Sequence, residues 1–149
     1  MELLADSLAP AEDGEVVGDL RVWHDVDLPH LDRRADISVW LPPGYDEGGR
    51  HYPVLYMQDG HNLFCKSASF AGEGIPAIVV GVPCHETRRE QEYTPYPHPD
   101  HGGGRAGDYT EFLTQELKPA VDRALRTEPG PESTVVAGSS LGAVLSAHV

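Results

Sequence analysis

Three short runs of almost unbroken apolar residues, YPVLYMQD, PAIVVGVP and STVVAGS, are each set off by Pro, Gly or turn residues. A strand buried on both faces has no polar side to alternate with, and such strands belong to parallel sheets covered by helices. Between the second and third runs, GDYTEFLTQELKPAVDRALRT spaces Tyr109, Phe112, Leu113, Leu117, Ala120, Val121 and Leu125 by three and four, which is one apolar helical stripe. Pro119 falls inside that stripe, lacks a backbone donor and crowds the carbonyl of Gln115, so a kink or break is expected near Gln115. Earlier, GDLRVWHDVDLPH and ADISVWLPP alternate apolar residues (Leu20 and Val22; Ile37, Val39 and Leu41) and predict an antiparallel strand pair. Strand, crossover, strand, helix, strand is the order of an α/β fold: a mostly parallel central sheet, here with an antiparallel N-terminal pair.

At 149 residues the chain is expected to form one domain, with residues 1–17, acidic and poor in pattern, expected to be loose. Eleven Lys and Arg stand against 24 Asp and Glu, for a formal charge of -13, which repels nucleic-acid backbones and anionic membrane surfaces. The N-terminus lacks a basic n-region followed by an apolar stretch, and the run near PAIVVGVP is too short to span a bilayer. The cytoplasm is therefore the expected compartment. Cys65 and Cys84 leave the redox setting open, and His61, Cys65, Cys84 and His85, though zinc-ligand types, lack the short spacing of a structural site. No metal is expected.

The third run leads directly into Gly138, Ser139, Ser140, Leu141 and Gly142, a GxSxG pattern between a predicted strand and a predicted helix. Glycines flank the serine because a strand-to-helix turn this tight has no room for side chains there. The turn lifts Ser140 to the C-terminal edge of the sheet, and the Leu141 N–H at the helix start is placed to bind an oxyanion. A Gly/Ser-rich turn without chemistry is the plain alternative.

Around this pattern lie WLPPGYDEGGRHYPVLYMQDGHNLF, IPAIVVGVP, RREQEYTPYP, FLTQELKPAVDRALRT and VVAGSSLGA. In these segments and their order, over most of residues 35 to 143, the chain resembles the putative esterase family of α/β-hydrolases, the esterase D and enterochelin-esterase-like group. The resemblance implies a serine carboxylester hydrolase with Ser140 as nucleophile, Leu141 and the backbone amide of His61 as oxyanion-hole donors, and a small-molecule ester as substrate. It implies no cofactor. Tyr93, Thr94 and Pro95 match the family's loop bordering the active site, with Tyr93 as a substrate-binding candidate; ordinary packing is the competing reading.

Two departures from the resemblance bear on activity. The segment GHNLFCKSASFAGEGI is shorter than the family's corresponding region, so a thinly covered sheet face is expected, and Ala143 stands where a second Gly is common. The resemblance also places the triad acid and histidine well beyond the elbow, whereas nine residues follow Ser140 here, so the chain reads as a truncated or minimal form lacking the C-terminal strands. His148 lies about 12 Å along a helix leading away from Ser140 and cannot serve it. His85, His98 and His101, with Glu86 or Asp100 nearby, are the candidate substitute bases, His61 being another loop histidine on the same side. A catalytically inactive remnant acting as a binding or assembly module is the rival reading. Under either, the 133–138 strand, apolar and without Lys or internal Pro, is expected to expose an edge open to homodimerisation.

Overall fold

The computed structural model describes residues 1–10, 19–60 and 76–149. Its strands are β1 (Ala9–Pro10), β2 (Asp19–Leu28), β3 (Arg33–Leu41), β4 (Val54–Gln58), β5 (Ile78–Val82), β6 (Pro97–His98), β7 (Gly102–Gly103) and β8 (Thr134–Ala137). Six of them form one sheet in the order β1-β2-β3-β5-β4-β8, and β6 and β7 form a separate small hairpin. β2 and β3 are antiparallel, with a bulge between Trp23 and Val26, and β3 is antiparallel to β5. β4 runs parallel to β5 on one side and to β8 on the other. The sheet is thus the expected mixed one, its antiparallel N-terminal pair flanking a parallel centre.

Burial departs from the sequence pattern in an instructive way. All five positions of β5 are buried, as the unbroken apolar run requires. β4 instead alternates, with Val54, Tyr56 and Gln58 buried and Leu55 and Met57 half-buried. On β8, Val135, which pairs with Leu55, is 53% exposed. Both faces are therefore not equally covered toward β8, which lies at the sheet margin with β4 on one side only among the described residues. The crossover at residues 61–75 lies outside the described residues.

The helices are α1 (Arg89–Tyr93), α2 (Ala106–Glu111), α3 (Lys118–Ala124) and α4 (Leu141–Ser146), and a π-helical stretch, Phe112–Leu117, joins α2 to α3. The expected disturbance near Gln115 takes this form. The Lys118 N–H donates to the Leu113 carbonyl, five residues back, and the widened turn accommodates Pro119 without breaking the helix. Tyr109, Phe112, Leu113, Leu117, Ala120, Val121 and Leu125 all remain buried, in one core with Tyr56, Val80 and Val82.

The N-terminus corrects the expectation of a loose start. Leu3 and Leu8 are buried, the Trp23 Nε1–H donates to the Leu4 carbonyl at 3.0 Å, and β1 pairs with β2. Two leucines suffice to anchor residues 1–10, which the acidic composition obscured; residues 11–18 are outside the described set. No helix among the described residues is long and apolar enough to cross a membrane.

A buried ion pair ties the two halves of the sheet to α1. Arg33, on β3, forms a two-pronged pair with Glu92 at 2.8 and 2.9 Å and donates to the Pro83 carbonyl at 2.8 Å, while Glu92 also accepts the His85 N–H at 3.1 Å. Their side chains are 8% and 2% exposed, so neither charge has water to fall back on. Removing one partner strands the other, at a cost of about 3–5 kcal/mol, whereas replacing both with apolar groups of similar volume costs far less. Arg33→Met and Glu92→Leu are each expected to lose about that much in urea denaturation, and the double variant to recover much of it.

Candidate active site

β8 ends at Ala137 and α4 begins at Leu141, so three residues reverse the chain. Gly138 is required by contact: a Cβ there would lie 2.5 Å from the carbonyl carbon of Gly142 and 2.9 Å from its Cα. A Cβ on Gly142 would meet Asp59 Oδ2 and Gln58 Cβ at 3.1 Å, tight but not impossible. The turn closes through the Gly142 N–H to the Ser139 carbonyl at 2.9 Å and the Ala143 N–H to the Ser140 carbonyl at 3.0 Å. Ser140 itself sits at φ 55, ψ -123 as the residue before α4, and it is exposed. A serine in that region costs on the order of 1–3 kcal/mol and persists only where its surroundings enforce it. Leu141 follows in the first helical turn, whose N–H groups have no acceptor within the helix.

Across from this turn lies the end of β4. Asp59 follows the strand with φ 57, and its N–H donates to the Tyr93 hydroxyl at 3.2 Å. Arg89, the first residue of α1, grips the Asp59 carboxylate with Nε at 2.9 Å and Nη2 at 2.7 Å, and its Nη2 reaches the Ser139 carbonyl at 3.5 Å. Cys84, just past β5, lies against Asp59; burial first, then the neighbouring carboxylate, push its thiol up to about 12.

Tyr93 needs correction as a substrate-binding residue. It is fully buried, packs edge-on against Tyr109 at 5.3 Å, and has Arg89 over its ring at 5.2 Å. Burial pushes its phenol well above the ordinary range. Its oxygen braces the β4 end.

Two adjoining clefts open beside the elbow. One, of about 280 Å³, is lined by Glu86, Arg89, Glu90, His101 and Leu141 among others; the second, of about 240 Å³, by Thr94, Tyr96, His98, His101 and Leu141 among others. His101 and Leu141 are thus brought together. His101 Nδ1 lies 4.0 Å from Glu90 Oε2, and its ring is 4.9 Å from that of His98. The pairings expected from sequence, with Glu86 or Asp100, do not form among the described residues. His98 Nδ1 accepts the Asp100 backbone N–H at 3.1 Å, not a proton shared with its carboxylate, and His85 Nδ1 accepts the Thr87 N–H at 3.2 Å. His85 lines a separate groove with Arg33, Arg34 and Cys84. His148 is exposed just past α4. His61 and Cys65 lie outside the described residues, and no cluster of three or more metal-ligating side chains occurs among the described ones.

Sequence reasoning passed over Asp59, Arg89 and Glu90. The available signal was an arginine pair beside glutamate in RRE and an acid wedged before glycine in QDG, but nothing local says that the two segments meet.

These contacts order the outcomes of two substitutions. Gly138→Ala forces backbone against backbone and is expected to cost about 3 kcal/mol; Gly142→Ala needs only a few tenths of an ångström of yielding and is expected to cost about 1 kcal/mol, both read by urea unfolding. For Cys84, the thiol remains protonated up to about 12, so its alkylation at pH 8, followed by mass mapping of that peptide, is expected to run at a small fraction of the rate after unfolding.

Comparisons with known proteins bear on the family and the fold. The family model described as "Putative esterase" matches residues 29–148. Among solved structures, an IroE-like serine hydrolase from Shewanella oneidensis is 28% identical with a TM-score of 0.66, over 85% of this chain and 43% of that one. A siderophore hydrolase, EstA, from Aspergillus nidulans shares the fold at 20% identity and a TM-score of 0.65, over 94% of this chain and 54% of that one. The uncharacterized protein YbbA of Bacillus subtilis is 27% identical over 120 residues, which is 73% of this chain and 48% of that protein. The chain accordingly spans about half the length of these relatives. With the family model covering most of its residues and a mixed α/β-hydrolase-like sheet beneath the GxSxG turn, the chain belongs to the putative esterase family.

Proposed function

We propose that the chain is a serine carboxylester hydrolase, acting on a small-molecule ester through an acyl-enzyme on Ser140. The observation that supports this most is the exposed Ser140 held at φ 55, ψ -123 between a parallel strand and a helix start. In this reading the Ser140 Oγ attacks the ester carbonyl carbon while its proton passes to a base. The Leu141 amide, with His61 as second donor, faces the developing oxyanion; the C–O bond to the alcohol breaks, and the alcohol leaves with that proton. Water then attacks the acyl group and frees Ser140. The step as written uses no cofactor, and we keep the cytoplasm as its setting on composition alone. Among the candidate bases we assign His101, which shares the cleft with Leu141 and has Glu90 beside it. EstA, named a siderophore hydrolase, makes a siderophore-like ester the first substrate to try.

Ser140-dependent turnover of p-nitrophenyl esters and labelling by a fluorophosphonate are the direct tests. Ser140→Ala is expected to abolish both and Ser139→Ala to leave both largely intact. His101→Ala is expected to slow turnover about 10²–10⁴-fold. A Ser140-labelled protein indifferent to His101→Ala would place the base elsewhere; a protein whose Ser140 never labels would favour the inactive binding or assembly module.

The margin of β8, which has β4 on one side only among the described residues, supports a homodimer under either reading. Val135 is 53% exposed, and pairing two β8 edges would extend the sheet and cover it. Sedimentation is expected to give twice the chain mass, falling to one on Val135→Lys or Val136→Pro; a parent that stays monomeric at high concentration defeats the dimer.

A further inference from the structure

Arg89 touches both sides of the candidate site. On one side its fork holds Asp59 at 2.9 and 2.7 Å; on the other its Nη2 faces the Ser139 carbonyl at 3.5 Å, the same oxygen that accepts the Gly142 N–H. Asp59 is pressed between these elements: its side chain is 12% exposed, and the Gly142 Cα leaves only enough space that an added Cβ would stand 3.1 Å from Oδ2. Its backbone is held by the Tyr93 hydroxyl, and Gly60 follows so close to β5 that a Cβ would overlap Gly81 Cα at 2.2 Å. The carboxylate is thereby held against the first turn of α4. A planar guanidinium can grip both oxygens at once and still present an edge to the elbow, which an ammonium cannot.

We propose that Arg89 is a positioning residue for Ser140: by locking Asp59 against the first turn of α4 and meeting the Ser139 carbonyl, it fixes the elbow relative to the end of β4. The kinetic consequence rests on the reading of Ser140 as nucleophile; the geometric one does not. A misplacement of about 1 Å in such a turn is enough to cost on the order of 10²-fold in reaction rate while leaving binding largely unchanged.

The test measures fluorophosphonate labelling of Ser140, resolved into the maximal inactivation rate and the half-saturating concentration, with amide hydrogen exchange on the same proteins. Arg89→Gln and Arg89→Lys are both expected to lower the maximal rate by about tenfold or more with half-saturation little changed, and added guanidinium ion to restore part of the rate to Arg89→Ala. Labelling at the parent rate in Arg89→Gln overturns the proposal, and so does a loss confined to half-saturation, which marks a ligand contact. If the parent itself never labels, the hydrolase reading falls, and exchange alone decides: faster exchange confined to 58–60 and 139–144 in Arg89→Gln upholds the positioning role, and unchanged exchange there overturns it. Should Arg89→Gln fail to fold, Asp59→Asn combined with it removes the carboxylate charge, and the same outcomes are read on that double variant.

Discussion

The close approach of backbones at the C-terminal ends of the parallel strands is the constraint on which the rest of this structure depends. Gly138 lies where a Cβ would be 2.5 Å from Gly142, and Gly60 where one would be 2.2 Å from Gly81, so the β4 exit meets β5, and the end of β8 meets the start of α4, with no side chain between them. Adjacent strands then leave the sheet by the same device. β4 exits through Asp59 at φ 57 and β8 through Ser140 at φ 55, two non-glycine residues in a region that costs on the order of 1–3 kcal/mol each. Such strain is tolerated because the groups around it are fixed: Tyr93 and Leu145 are fully buried, and Asp59 has its carboxylate gripped and its amide bonded. The strain is thus held by the core, and the exposed serine is its visible end.

How much of this was legible in sequence follows from how local each cause is. The elbow was legible because its cause spans five residues: glycines at 138 and 142 have one steric reason, and it acts between those two residues. The parallel centre of the sheet was legible because unbroken apolar runs require cover on both faces, and β5 obeys that rule at every position. β4 and β8 obey it less well, since burial of Leu55 and Val135 depends on what lies over that face, which their own composition cannot express. The helical stripe was read correctly, and Pro119 gave the place of its disturbance; that the helix would widen instead of breaking is a tertiary outcome, set by the burial of Phe112, Leu113 and Leu117 on either side.

Tyr93 shows the opposite failure. Its motif was recognised and its role misjudged, because an aromatic beside a predicted cleft reads the same whether it points in or out. The deciding fact is a hydrogen bond spanning 34 residues, from the Asp59 amide to the Tyr93 hydroxyl. The pairs Arg89 with Asp59 and Arg33 with Glu92 span 30 and 59 residues and are invisible for the same reason. In a chain with a formal charge of -13 each arginine has many acids within reach of any sequence-based guess, and only the fold chooses among them.

α1 connects these observations. A helix of five residues cannot stand on its own propensity, because nucleation costs more than so few hydrogen bonds return. It is held by its ends: Arg89 at the start binds the β4 exit, while Glu92 and Tyr93 at the finish bind β3 and, again, the β4 exit. The segment beyond it inherits that anchorage, since the Gly104 and Arg105 N–H groups return to the carbonyls of Thr94 and Gln91 and so close the hairpin that carries His98 and His101. Three things are therefore coupled through one short helix: the strained Asp59, the carbonyl of Ser139 and the wall of the cleft that faces Leu141. A displacement of α1 sufficient to open that wall would also withdraw Arg89 from Asp59, separating a nearly buried carboxylate from its cation, and the cost of that separation is what keeps the cleft and the elbow in a single register.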